Sequence, residues 1–456
     1  MLLPRGFAHA ASLYWPGRLL WFWLLSPCLV SDSFAEARLT FTQGDREDHR
    51  VQPEMALFVP VDQTATPFLV PGSFQCVLEA QLVVDRRQQL RFEMKGSGQA
   101  KMSVNGEEIL ETLGTPSEDL TLAPGLHRLK IAYRSPDQGE AQLRVYWSGE
   151  DFLQEPLSAS HLKWSETQDV DRLRQARHQL ADLNCVACHQ SDASILMPEA
   201  QWRGPSLNGV GSRLQPAWMA RWIADPQSLR ASSHMPQIFR GKGAAQNAAH
   251  IAAFLAQQRG SVTSSGDGNV KEGGYLFREL NCIGCHQING ENSDRISLLA
   301  MGQKYQPGAL AAYLLAPEKH HEATAMPNFS LTSQEASDLA SFLLSKGESD
   351  SESGDLSFGD PVMGKQLIAS SGCLQCHDLD GVSSTMKAPP MLNALLSKEG
   401  CLDPTREDSA APRFQQDLSG LHLADAELKK VVESLGRYSP VEFAQRQVES
   451  LQCSAC

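Results

Sequence analysis

At 456 residues with 20% charged and 42% hydrophobic side chains, the chain is long enough for several domains, each with a modest core. A net charge of −13 argues against a nucleic-acid binder, because phosphates require a basic surface, and permits docking on a basic redox protein. Of eleven cysteines, eight fall in four close pairs, leaving Cys28, Cys76 and Cys401, too few and too scattered for a disulfide framework.

Residues 1–35 carry Arg5 and Arg18, an apolar run from Leu19 to Val30, and Ser33-Phe34-Ala35. A basic stretch, a short apolar stretch and a small-residue cleavage site make a secretory signal peptide. The run is too short for a comfortable membrane anchor, and Pro27 before Cys28 disfavours a lipoprotein site. No later stretch has the length and apolarity of a transmembrane helix. The mature chain is therefore expected outside the cytoplasm, in the periplasm or otherwise exported.

Residues 36–165 read as an all-β sandwich. Apolar and polar residues alternate in Leu90–Met94, Leu129–Tyr133 and Ala141–Trp147, the period of half-buried strands. Asn105-Gly106 between Met102–Val104 and Ile109-Leu110 signals a tight hairpin. With Gly-Ser-Gly-Gln-Ala (96–100), Leu122–His127 and the strand ending at Trp147, the region resembles a PA14-like domain. That resemblance implies binding of carbohydrate or cell-wall material. The acidic residues common before the family's central strands are replaced here, where Gln99 and Asn105 stand, which weighs against calcium-assisted sugar binding and leaves a spacer role equally open.

From Asp171 the chain repeats. Cys185-Val-Ala-Cys188-His189, Cys282-Ile-Gly-Cys285-His286 and Cys373-Leu-Gln-Cys376-His377 share one pattern, and Cys453-Ser-Ala-Cys456 begins a fourth. This is the attachment signature of c-type haem: two thiols bond one porphyrin, and the adjoining imidazole becomes an axial ligand of its iron. The expected units are 171–259, 270–346 and 356–437, with 438–456 opening a fourth. Polar linkers at 260–269 and 347–355 separate them. An amphipathic segment precedes each motif, as in Gly273–Leu280. A closing helix follows at His250–Gln258, Glu335–Leu344 and Glu427–Leu435, and Thr332–Glu335 has the form of a capping box.

The repeated pattern resembles class I cytochrome c domains, which implies small all-α folds and haem c in three complete sites, with a fourth in a longer chain. The resemblance implies a second axial ligand from a methionine loop: Met235 in Ser-His-Met-Pro-Gln for the first unit and Met326 in Thr-Ala-Met-Pro-Asn-Phe for the second. Met197 also precedes a proline but lies too close to His189. In the third unit Ala411-Pro412-Arg413-Phe414 aligns with Met326–Phe329, so that haem is left open or takes Cys401, His422 or Met386, and a lower potential is expected for it. The family's proximal proline, whose carbonyl accepts a hydrogen bond from the iron-bound imidazole, corresponds to Pro205 and Pro390. Ile296 departs from it, and Met391 falls on the proximal side. Cys401 is also readable as a small buried residue or as a disulfide partner of Cys76.

Zinc at the cysteine pairs would lack ligands and leave the Met-Pro repeats unexplained. Thioredoxin-like chemistry lacks its βαβ setting. His234, His320 and His321 lie near the ligand loops and read as solvated or propionate-facing. Two functions remain. One is a multihaem electron carrier between redox partner proteins, not itself an enzyme. The other is a peroxidase-like haem enzyme, or an enzyme subunit whose catalytic domain follows Cys456.

Overall fold

The computed structural model describes residues 37–164, 172–189, 194–261, 266–290, 295–322, 324–347, 359–387, 389–392, 401 and 423–451. The expected leader, Cys28, residues 411–414, His422, Cys453 and Cys456 lie outside them. No helix among the described residues is long and apolar enough to cross a membrane.

The N-terminal region is a β-sandwich of strands β1 (Ala37–Gln43), β2 (Arg46–Gln52), β3 (Ala56–Val59), β4 (Gln75–Val84), β5 (Gln88–Gly96), β6 (Gln99–Val104), β7 (Glu107–Leu110), β8 (Leu120–Leu122), β9 (Gly125–Arg134), β10 (Ala141–Gly149), β11 (Phe152–Pro156) and β12 (Leu162–Lys163). One sheet runs β2-β1-β4-β9-β6-β7 with β12 also on β4; the other runs β11-β10-β5-β8 with β3 also on β10. All these pairings are antiparallel. The period-two pattern has its expected effect: Leu90, Phe92 and Met94, then Leu129, Ile131 and Tyr133, then Leu143, Val145 and Trp147, all turn into one core. Cys76 sits in that core as a free thiol and forms no disulfide with Cys401.

Asn105 (φ 53) and Gly106 (φ 89) close the β6–β7 hairpin in left-handed conformations that these residue types adopt with little strain. Asn105 Oδ1 accepts from the Arg128 N–H at 3.0 Å, and Asn105 Nδ2 lies 2.9 Å from His127 Nδ1. Asn105 therefore ties the hairpin to β9.

The helical region contains α1 (Arg172–Asp182), α2 (Cys185–Cys188), α3 (Pro216–Ala224), α4 (Pro226–Leu229), α5 (Ala244–Ala256), α6 (Val270–Glu279), α7 (Met301–Lys304), α8 (Ala309–Leu315), α9 (Pro317–His320), α10 (Ser333–Lys346), α11 (Pro361–Ser370), α12 (Cys373–Cys376), α13 (Asp425–Ser434) and α14 (Pro440–Ser450). Within 270–346 the expected arrangement holds. Helix α6, capped by Asn269, crosses α10, which starts at the Thr332–Glu335 capping box. Gly273 is the crossing point: a Cβ there would lie 1.9 Å from the Asp338 carbonyl oxygen and 2.8 Å from Phe342 Cβ.

The other helices do not pair block by block. Helix α11, expected to pack within 356–437, crosses α5, from 171–259. Gly364 marks the crossing, its Cβ position 2.0 Å from the His250 carbonyl oxygen and 2.9 Å from Phe254 Cβ. Helix α1, expected to pack on α5, packs on α13 instead. One core joins Ala176, Leu180 and Met197 to Leu392, Leu428, Val431 and Leu435; another joins Trp218, Met219, Ile251 and Phe254 to Ile368 and Leu379. The chain thus nests its units. An outer unit is split into 172–203 and 389–435, a middle unit into 204–261 and 359–387, and an inner unit, 266–347, is continuous.

Side-chain size explains this pairing. Gly273 and Gly364 each stand nine residues before the first cysteine of their motif, and each faces a phenylalanine. Ala176 has the same offset on α1, and Ser434 has on α13 the position that Phe342 has on α10, ten residues past the N-cap. Glycine meets phenylalanine at two crossings, and at the third the corresponding positions carry the smaller pair Ala176 and Ser434.

The sandwich docks on the outer unit. Arg174 Nη2 contacts Asp48 Oδ2 at 2.7 Å, and the same guanidinium lies over the Phe68 ring and pairs with Glu442. Arg177, which is 1% exposed, also pairs with Glu442, and Arg437 donates to the Pro67 carbonyl at 2.9 Å. The β region is therefore a fixed neighbour of the first motif, held by a buried charge network.

Candidate haem-binding sites

Each described motif begins with a chain reversal. The residue before the first cysteine is left-handed: Asn184 (φ 51), Asn281 (φ 51) and Gly372 (φ 84). Asparagine and glycine adopt that conformation at least cost. The sequence carries this signal as Asn, Asn and Gly immediately before the three first cysteines. The reversal turns the preceding helix into the cysteine turn, and at the first and third motifs the histidine N–H closes it on the first cysteine carbonyl, at 2.9 Å for His189 and 3.0 Å for His377.

The imidazoles are then oriented from across the nest. His189 Nδ1–H donates to the Pro390 carbonyl at 2.8 Å, and His377 Nδ1–H donates to the Pro205 carbonyl at 2.7 Å. A carbonyl only accepts, so Nδ1 carries the proton and Nε2 keeps its lone pair for a metal. The sequence reading places Pro205 with His189 and Pro390 with His377; the structure pairs them the other way, because the split halves are exchanged. Gly204 fits beneath the His377 ring, where a Cβ would lie 2.7 Å from its Cε1. In the inner unit, His286 Nδ1 is buried without a hydrogen-bond partner, although the Ile296 backbone partly offsets the lowering of its pKa by burial.

All six motif cysteines among the described residues are free thiols. Burial pushes Cys185 up to about 12, and Cys282, Cys373 and Cys376 up to about 11. That is the opposite of the lowered values that activate thiol-exchange pairs. Among the described residues no three of His, Cys, Asp and Glu converge as a zinc site requires. Two free thiols and, at His189 and His377, an oriented imidazole with a free Nε2 fit the attachment and ligation of haem c.

The methionines separate into classes. Met326 and Cys282 pack against the inner core, and Met235 and Cys373 against the middle core. Met197 is 1% exposed inside the outer core, with its N–H on the Leu435 carbonyl at 3.1 Å; it is a packing residue. Met386 Sδ lies 2.9 Å from the Cβ position of Gly372. Cys401 stands near the first motif, where its charge and those of Cys185 and Cys188 act on one another after burial. His234, His320 and His321 are each lowered by burial, and His321 faces His377 closely enough to lower it further after burial.

The first and third motifs touch. Asn184 Nδ2 donates to the Trp202 carbonyl at 2.7 Å and reaches Cys376 Sγ at 3.9 Å, and the Gly204 N–H donates to the Cys376 carbonyl at 2.9 Å. The offsets that seat Leu180, Phe277 and Ile368 in cores fall, before Cys453, on Val448 of α14, which is 55% exposed.

The family model for cytochrome c matches residues 270–346. Residues 270–346 are a cytochrome c domain. A cytochrome c domain binds haem c covalently and serves haem-based electron transfer, and the match covers the unit whose halves are continuous. No curated protein matches the chain. Among solved structures, a PA14 sugar-binding domain from an RTX adhesin is 20% identical over 21% of this chain and 57% of that chain (TM-score 0.19). An anti-sigma factor domain-containing protein from Clostridium clariflavum is 13% identical over 29% and 48% (TM-score 0.26). The PA14 domain of the MpAFP antifreeze protein is 8% identical over 30% and 94% (TM-score 0.24). The chain spans about half the length of the first two. The sandwich fold rests on its own strand order and register.

Proposed function

We propose that the chain is an exported multihaem c-type cytochrome that carries single electrons between redox partner proteins. Its haems attach at Cys185–Cys188, Cys282–Cys285 and Cys373–Cys376, and Cys453–Cys456 repeats the same cysteine spacing. Haem supplies reversible one-electron exchange at its iron when bound. The protein's part is to fix each imidazole, choose the opposite ligand and set the spacing between sites.

One observation carries this reading: two imidazoles outside the cytochrome c domain donate Nδ1–H to proline carbonyls at 2.8 and 2.7 Å. A histidine that only packs has no need of that shared orientation. Contact between the first and third motifs supports direct electron exchange between those sites. The leader supports export to the periplasm. The sandwich would fix the outer unit on a surface, carbohydrate or cell-wall material being the class implied by its PA14-like sequence.

Intact mass and absorption of the matured protein test the proposal. Three covalently added porphyrins are expected, and serine replacement of one cysteine pair should remove one. A colourless protein of unmodified mass would refute it.

A further inference from the structure

We infer that Met235 is the distal ligand at the His377 site, and that the His189 site receives no methionine. The inference rests on reading the cysteine motifs as haem sites and assigns their ligands.

The cytochrome c domain supplies the template. After α8, the chain passes through Ala316 (φ −156, ψ 74) into the proline-initiated turn α9; after α3 it passes through Asp225 (φ −154, ψ 90) into the proline-initiated turn α4. The Met326 N–H then donates to Thr324 Oγ1 at 3.2 Å, and the Met235 N–H donates to Ser233 Oγ at 3.2 Å. In both loops a hydroxyl two residues upstream fixes the methionine backbone. Trp222 Nε1 reaches Met235 Sδ at 3.1 Å, and Gln227 Nε2 donates to the Met235 carbonyl at 2.8 Å. Met235 is thus the structural counterpart of Met326.

The template also names the histidine. Met326 shares its unit with α6, whose motif ends at His286. The helix crossing α5 as α6 crosses α10 is α11, and the glycine contacts of the two crossings agree within 0.1 Å. Helix α11 leads to Cys373, Cys376 and His377. Pro205, from the same segment as Met235, holds His377. One half of the middle unit therefore carries both the proline that holds His377 and Met235, which packs with Cys373 against the middle core.

The outer unit has no counterpart. The chain between Leu392 and Leu423 contains no methionine. Met197 is locked in the core, and Met391 follows the proline that holds His189. The odd site accordingly moves from the third motif, where the linear alignment puts it, to the first.

Full-length holoprotein with methionine methyls labelled with carbon-13, studied by NMR in the reduced state, tests this. Ring current from a porphyrin displaces the methyl of an iron-bound methionine far upfield. Two displaced methyls are expected, one lost in Met235→Leu and one in Met326→Leu. The Met235 methyl should show nuclear Overhauser contacts to the porphyrin that contacts His377. Contacts to the porphyrin at His189, or a third displaced methyl, would overturn the assignment. If Met235→Leu fails to fold, those contacts in the unsubstituted protein still decide. Absence of porphyrin by mass would instead remove the haem reading itself, and this assignment with it.

Discussion

The inner unit and the interleaved pair around it use the same helix crossings and cysteine turns in different chain order. In 270–346 a helix, a cysteine motif, a ligand loop and a closing helix follow one another. In the middle unit the same parts come from segments far apart in sequence, and the outer unit takes its helix, cysteine motif and closing helix from equally distant segments. The contrast shows that these helix crossings are set by local pairings (a small residue at a helix crossing, a carbonyl on an imidazole) and not by which peptide bonds connect them.

The strongest way to break the comparison is at the crossings. Gly364→Ala sets a methyl within 2.0 Å of the His250 carbonyl. Backbone cannot yield as a side chain does, so a loss of about 3 kcal/mol or more is expected in denaturant unfolding, at or above the usual range for overpacking. Gly273→Ala should match it in the inner unit. A neutral Gly364→Ala would mean that α11 does not cross α5.

What the sequence disclosed follows this division. The strands, the Asn105-Gly106 hairpin, the Thr332 cap and the position of each motif depend on neighbours in the chain and were legible. The partnership of α1 with α13 was not, because all three closing helices carry the same apolar spacing and any could serve any motif. The discriminating detail lay in side-chain size: Gly364 admits Phe254 at its crossing, whereas the same offsets on α1 and α13 carry Ala176 and Ser434. The exchange of Pro205 and Pro390 between histidines follows from that one choice. The sandwich contact through Arg174 was equally hidden, since a charged residue on an amphipathic helix ordinarily faces water.

That contact gives the next largest effect. Burial, the largest single influence on Glu442, raises its pKa, yet the His178 imidazole 3.5 Å away and the charges of Arg174 and Arg177 together hold the carboxyl well below the usual carboxylate range. Glu442→Gln leaves Arg177 buried and should cost about 3–5 kcal/mol in the outer unit. The folded-state pKa is below the unfolded one, so this contribution is complete above roughly pH 5 and fades as pH falls toward the folded value. Unfolding curves of the two proteins should converge in acid. A constant difference at every pH would remove the charge network from the explanation.

A smaller change sharpens the comparison from the other side. Thr332→Ala removes the bond from the Glu335 N–H at 3.3 Å and should cost about 1 kcal/mol. Followed by hydrogen exchange, the loss should fall on 270–346 and leave the interleaved pair unchanged. Equal loosening of α5 or α13 would show that the inner unit is not independent.

Cleavage of the matured full chain at protease sites inserted between Ser261 and Gly266 and between Gly347 and Gly359, followed by native mass spectrometry, tests the nesting and the haem count together. The fragment from Gly359 onward should stay bound to the fragment ending at Ser261, one porphyrin on each, while the 266–347 fragment leaves first with its own as collision energy rises. Departure of the Gly359 fragment by itself, or fragments without porphyrin, would contradict the interleaved haem sites.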